Sequence, residues 1–433
     1  MRNLIGPEMV KIPFSKATPM CPALLDAAPC AMPAAGSPAA IYQLAVHPDT
    51  PDLVEASLTL PADGAGEMWL GAQGVTRGLS HQILQPRCGA EPLVEQDRGW
   101  VKPAGCRRVD WQIRFDTVRD DGADPARQRS LYFPDRSWWL LSEGTSLLRP
   151  KHAGLARLTA NLPVLGGGEP AASAWFLPDG DAPPAFFALG NVAGTTVGAQ
   201  GVRVTHVADR PEAVWRMGLI ALQRRAMAWL TEVMRVERGG RLLVVWLGMN
   251  PASGRASGAA GDRSFVSGYV AGDPRGSSLS LMTLAHEQFH QLAALTRPGD
   301  HPAWYGESLA QFYALRALSR LGSRQREIQA LRDKFIDASR PVPATLLDWQ
   351  RRHEEGDAAA YPQFYTQGAT FWHQLDALLR QATEGQHTLD QDLPALLALP
   401  TDAATPLPAT LRQQWRTQVG PAVDVLIRRY VGG

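Results

Sequence analysis

The rhythm of apolar and polar positions changes once along this chain, near residue 210. From Ile41 to about Asp209 the apolar residues come in short runs, several of them alternating, at Ile41–His47, Leu53–Leu60, Arg107–Phe115, Ser130–Phe133, Trp138–Leu141 and Val202–Val207. Alternation with period two turns one face of a strand inward. Turn residues such as Pro48-Asp49, Asp63-Gly64, Asp120-Asp121-Gly122 and Asp179-Gly180 separate the runs. Strands at this spacing, with few helical stretches between them, predict a β-sandwich-like domain. Its tryptophans, Trp138 and Trp139 among them, read as buried packing, and no chemistry is legible in this half.

Beyond Pro211 the period becomes helical. Trp215, Leu219, Leu222, Ala226, Leu230 and Val233 recur three or four apart until Gly239-Gly240. Leu242–Leu247 reads as a buried strand, and two short strands are predicted at Ser264–Ala271 and Ser277–Leu281. The second leads into a helix over Thr283–Leu295, ended by Pro298-Gly299, and Glu307 starts another. Helical patterns continue at Ser323–Ile336, Ala344–His353, Tyr365–Thr383 and Pro408–Tyr430, the last broken at Gly420-Pro421. The predicted fold class is α+β. Its parts are a disordered arm or vestigial export signal over 1–40, a β-rich domain over 41–209, a small mixed sheet with helices over 210–325, and a helical domain over 326–433.

Composition changes this picture only at its edges. A length of 433 residues exceeds one ordinary domain. With 43 basic against 42 acidic residues, no global field draws nucleic acid or an anionic membrane. No apolar run is long enough for a transmembrane segment. The first forty residues carry Arg2, Lys11 and Lys16 before an Ala/Pro/Cys-rich stretch, which resembles an export signal interrupted by Asp26 and prolines. Of the four cysteines, Cys88 and Cys106 flank a loop-rich segment; they could be bridged in an exported protein or remain free thiols. These features tilt the expected location toward the periplasm or the exterior.

The chemistry lies in His286-Glu287-Gln288-Phe289-His290. On a helix, positions 286 and 290 stand one turn apart on one face, so two imidazoles can grip one metal ion from the same side. Glu287 projects from the same turn and can reach a water on that metal, the H-E-x-x-H arrangement of zinc hydrolases. Hydrolytic zinc takes three protein ligands and leaves a position open for water. Glu307, at the start of the next helix, is the best candidate for the third; His301, in the intervening loop, is the competing one. Gln311 lies one turn after Glu307, where its carbonyl could accept the Nδ1–H of a zinc-bound histidine.

His286-Glu287-x-x-His290, followed by Trp304-Tyr305-Gly306-Glu307-Ser308-Leu309-Ala310-x-Phe312-Tyr313, resembles the gluzincin zinc metallopeptidases, and in particular the glycyl-aminopeptidase and zinc aminopeptidase families. Their third ligand sits in a Trp-x-x-Glu-Gly segment. Downstream, Phe364-Tyr365-Thr366-Gln367-Gly368 and Leu375-Asp376 look like their Tyr-x-Lys-Gly and Leu-Asp segments. The resemblance implies a thermolysin-like catalytic domain behind the β-domain, Zn²⁺ as cofactor, a peptide or protein substrate, and Tyr365 as donor to the oxyanion of the tetrahedral intermediate. Three departures stand out. Gln367 replaces the family's lysine, and Ser308 its glycine. The region Gly258-Ala259-Ala260-Gly261-Asp262-Arg263-Ser264 lacks the glutamate that grips a substrate's free amine.

The expected function is zinc-dependent hydrolysis of peptide bonds with Glu287 as general base. The alternatives are a peptidase-like binding or assembly protein without turnover and a zinc hydrolase of a non-peptide bond. Oligomeric state is not legible.

Overall fold

The structure, a computed structural model, describes residues 40–432 apart from 62–65, 73–80, 97–98, 120–121, 151–155, 169, 171–173, 179–182, 200, 237–239, 251–256, 273, 297–300 and 399–406. The arm expected over 1–40 lies outside the described residues except for Ala40, which opens the first strand; Cys21 and Cys30 also lie outside. The molecule is mixed α+β and divides into two compact units, 10–194 with Gly261–Phe265, and 195–433 without those five residues.

The N-terminal unit carries three sheets. The largest has seven strands, in the order Trp175–Leu177, Ala156–Ala160, Ala40–Ala45, Leu53–Thr59, Arg108–Arg114, Ile83–Cys88 and Glu91–Pro92. A five-stranded sheet is centred on Trp138–Ser142, and a four-stranded one on Met68–Gly71 and Gly99–Lys102. The alternation seen in the sequence sets the register. Val54, Ala56 and Leu58 pair with Ile113, Trp111 and Val109, and all six point inward. The three sheets share one apolar core, to which Leu70, Trp139, Leu141, Phe187 and Leu189 also contribute. Trp138 and Trp139 are buried packing residues. Cys88 and Cys106 form a disulfide with Cα atoms 6.0 Å apart.

The C-terminal unit begins with a five-stranded sheet, in the order Thr195–Ala199, Val202–Ala208, Gly240–Gly248, Ser264–Tyr269 and Gly258–Gly261, of which only Gly261, Ser264 and Phe265 belong to the other unit. Val202–Ala208 and Gly240–Gly248 run parallel. Parallel neighbours need a crossover, and the helices Pro211–Arg216 and Leu219–Val233 supply it. The sequence pattern reads these as one helix. Gly218, in the left-handed region at φ 68°, divides them, and Trp215 falls out of phase with the buried stripe and is 71% exposed.

One predicted strand is absent. Residues 277–281 belong to a helix, Pro274–Thr296, that carries the H-E-x-x-H motif. Pro274 suits a first helical position. Ser278, Ser280, Leu281 and Met282 are all buried, so this turn is enclosed on several sides and its alternating serines and leucines carry no face signal. The next helix, Ala303–Ser319, is buried almost all round and forms the core of the unit. Around it lie Gln325–Phe335, Leu346–Glu354, Ala369–Ala382, Leu389–Ala398, Ala409–Val419 and Ala422–Tyr430. The break at Gly420-Pro421 is present, with Gly420 at φ 84°. Leu389–Ala398 escaped the sequence reading because Pro394 lies inside it. Among the described residues no helix is long and apolar enough to cross a membrane.

Candidate metal centre

Two helices and one distorted turn build the site, all within the C-terminal unit. The helix Pro274–Thr296 presents His286, Glu287 and His290; Ala303–Ser319 presents Glu307 from its first turns; a π-helical turn at Phe364–Gly368 presents Tyr365. One extra residue in a turn re-aims the side chains around it, which is why such turns recur at functional sites. The sequence pattern shows only a continuous helix there.

The π-turn is held by Gln367 and Ser308, the two positions that depart from the zinc aminopeptidase pattern. The Gln367 amide donates to the carbonyls of Ala344 (2.9 Å) and Tyr430 (3.1 Å) and accepts the indole N–H of Trp349. Gln367 thus braces the turn from behind. Gly368 packs on Ser308 so closely that a Cβ there would lie 2.4 Å from the serine Cβ. The Ser308 hydroxyl accepts from Trp372 Nε1 at 2.7 Å and donates to the Tyr305 carbonyl at 3.1 Å, tying the two helices together.

The ligating atoms of His286, His290 and Glu307 all lie within 4.8 Å of one another. His286 Nε2 is 3.0 Å from Glu307 Oε2, His290 Nε2 is 3.6 Å from the same oxygen, and the two Nε2 atoms are 3.1 Å apart. Four tetrahedral bonds of zinc to N and O place neighbouring ligand atoms about 3.3 Å apart. Two histidines and a carboxylate are also the donor set of a catalytic zinc site with one open position. The residues therefore fit the metal in both spacing and chemistry. His301, the competing ligand, stacks on Tyr305 and faces the Leu397 carbonyl at 3.3 Å, away from this cluster. Gln311 is buried, but among the described residues its amide nitrogen has no partner, and His286 Nδ1 is likewise buried without one.

Charge inside the cluster is strongly coupled. Burial would raise the Glu307 carboxyl, yet the two imidazoles hold it well below the usual range. Burial opposes a proton on His290, and the Glu307 carboxylate overrides it, so that ring is shifted up. Burial pushes the Glu287 carboxyl up, against the pull of both histidines. A carboxyl shifted upward is a better proton acceptor than a free one, which suits a general base. The Tyr365 hydroxyl donates to Glu307 Oε2 at 2.9 Å, and burial followed by the Glu307 charge keeps its proton on.

Two contributors were missed in the sequence. Tyr361, one turn before Tyr365, has its hydroxyl within hydrogen-bonding reach of both Tyr365 and Glu307. Its spacing from Tyr365 is the helical i, i+4 signal that could have flagged it. Gly258 lies against the base: a Cβ there would approach Thr283 Cγ2 to 2.8 Å and Glu287 Cγ to 3.3 Å. Only glycine lets the strand pass this close to the helix.

No family model matches the sequence, and no curated protein matches it. Solved structures do. An aminopeptidase N family protein from Idiomarina loihiensis superposes with a TM-score of 0.64 at 14% identity, over 91% of this chain and 76% of that one. A mutant of the M1 zinc metallopeptidase from Deinococcus radiodurans gives a TM-score of 0.50 at 15% identity, over 92% and 94%. The fold is shared with zinc aminopeptidases. At this identity the likeness speaks for the backbone, and the site must speak for itself.

Proposed function

We propose that this protein is a zinc-dependent peptidase. The observation that carries the reading is the convergence of His286, His290 and Glu307 on one point, with Glu287 and Tyr365 beside it. His286, His290 and Glu307 would hold the metal, which when bound supplies a Lewis acid that lowers the pKa of water. Glu287, its carboxyl pushed up by burial, takes the proton of the attacking water and delivers it to the leaving amine. Tyr365 keeps its proton and donates a hydrogen bond to the oxygen of the tetrahedral carbon. Tyr361 supports Tyr365 from the preceding turn. Ser264–Tyr269, which the sequence offers as a peptide-binding edge, is an inner strand paired on both sides, so the peptide lies instead along the edge strand Gly258–Gly261 by backbone pairing. Gln311 would orient a histidine by accepting its Nδ1–H. The reading includes a thermolysin-like catalytic region over 210–325, behind the β-rich 41–209 and ahead of the helical 326–433. The Cys88–Cys106 disulfide fits an oxidising compartment.

Gln367 does not favour a protein without turnover, because its amide is spent on bracing the π-turn. The test is to incubate the metal-loaded protein with a defined peptide mixture and identify the products by mass spectrometry. Cuts confined to the first residue would make it an aminopeptidase. Glu287→Gln is expected to keep stoichiometric zinc and lose about 100- to 10,000-fold in kcat. Full activity in that variant would remove Glu287 as the base.

A further inference from the structure

The C-terminal unit contains a second cluster of charged groups that the metal centre does not use. A cavity of about 320 Å³ opens between the last turns of Ala303–Ser319, the helix Gln325–Phe335 and the helix Ala369–Ala382. Arg316, Arg320, Arg332 and Arg380 line it, together with His373 and Asp376. Arg316 stands nine residues after Glu307, about 13 Å along the helix and half a rotation round it, so the cavity lies on the reverse face of the helix from the metal ligands.

The charges in this cavity do not balance. Asp376 is shared between Arg380 Nε at 2.7 Å and Arg316 at 3.4 Å, and it also accepts the Leu389 N–H. Arg316 has a second carboxylate in Asp390 at 2.7 Å. Those two carboxylates face four guanidinium groups. Among the described residues, Arg332 and Arg320 have no carboxylate partner, and Arg320 lies over the Trp229 ring instead. Burial, and after it the charge of Arg332, shift His373 down, so the ring adds no positive charge of its own. Arg332 is half-buried and Arg320 exposed, so two cations of excess meet at a partly enclosed surface and attract an anion more strongly than a single isolated charge in open solvent. Planar guanidinium forks match the oxygens of a tetrahedral oxyanion.

We propose that this cavity is a binding site for a small divalent oxyanion of the phosphate type, gripped by Arg316, Arg320, Arg332 and Arg380. The bound anion joins the helix that carries Glu307 to the helix that follows Tyr365, and Arg332 brings in the third wall. The two helices that position the metal carboxylate and the tyrosine are thereby clamped from behind.

The test is calorimetric titration of the metal-loaded full chain with orthophosphate and, in a second arm, pyrophosphate, each against sodium chloride at matched ionic strength. Saturable one-to-one binding of either oxyanion, with a rise in Tm, is expected. Arg332→Gln should weaken it at least tenfold, and Arg320→Gln should weaken it as well. Arg332 has no ion pair to lose, so its replacement leaves the fold intact, and circular dichroism checks this. Absence of saturable binding overturns the proposal. So does binding of equal strength in both variants, which would place the anion on the metal, or a Tm rise that chloride reproduces.

Discussion

Each unit of this protein buries a carboxylate among nitrogen-bearing side chains, and the two clusters are built to opposite ends. In the N-terminal unit Glu143 and Arg149 are each 1% exposed. One Glu143 oxygen accepts from Arg149, the other accepts the Ala185 N–H at 2.8 Å, and Arg149 donates again to the Pro178 carbonyl. Both oxygens of the carboxylate are engaged by groups of the chain itself. In the C-terminal unit Glu307, His286 and His290 point their free atoms at one another, so one oxygen and two ring nitrogens share a single focus. Two imidazole nitrogens 3.1 Å apart can share at most one proton between them, whereas a cation at the focus satisfies both lone pairs. A closed cluster holds structure; a cluster with a common focus has capacity left for a ligand.

His206 supplies the comparison, an imidazole on which burial outweighs the raising effect of a hydrogen bond with Gln223. It is 3% exposed, its Nδ1 accepts the Trp246 indole N–H at 3.1 Å, and burial lowers its pKa from 6.5 to about 4. His290, partly buried in the same unit, is shifted the other way by Glu307. The neighbouring carboxylate therefore decides which histidine is an inert core residue and which belongs to a site.

The contrast can be broken by removing one member of each cluster. The largest effect is expected from Glu307→Gln, which should weaken zinc binding by well over about 100-fold, more than loss of a group that only orients a ligand. Zinc titration against a chelator reads this, and the metal-free variant should unfold within about 1.5 kcal/mol of wild type. Arg149→Met should do the reverse. It leaves Glu143 buried and unpaired and is expected to cost about 3–5 kcal/mol in urea unfolding, with zinc affinity unchanged. A loss of zinc binding in Arg149→Met, or no loss of stability, would dissolve the distinction.

The third prediction concerns acid. The folded pKa of His206 lies below its unfolded value, so the unfolded chain binds the extra proton between pH 6.5 and about 4. This contribution is fully present above pH 6.5 and is lost as pH falls through that window, amounting to about 3 kcal/mol. Unfolding of metal-free wild type and His206→Phe, compared from pH 7 to pH 4, should show the flatter profile in the variant. Parallel profiles would mean that the ring is already charged in the fold.

Much of this site is legible in the residues because its parts are local. The spacing of His286 and His290 is one helical turn, and Glu307 lies in the second turn of the next helix, which begins at Ala303 rather than at Glu307, so neither needs a long-range contact to be found. The π-turn is not legible: Phe364 to Gly368 has the composition of an ordinary helix, and the extra residue is enforced by Gln367 and by the fit of Gly368 against Ser308. The strand read at 277–281 failed for a related reason, since a turn buried on several sides loses the period that separates helix from strand.

By itself the sequence determined the α+β character, the change of rhythm near residue 210, the alternating register of the central N-terminal strands and the identity of the H-E-x-x-H residues. Those follow from side-chain periodicity and from spacings within one or two turns. Only the tertiary structure decided that His301 faces away, that Tyr361 joins Tyr365 at Glu307, that Gly258 passes against Glu287, and that four arginines from three helices meet in one cavity. Each depends on how separate helices and strands come together, and that is set by packing between residues far apart in the chain.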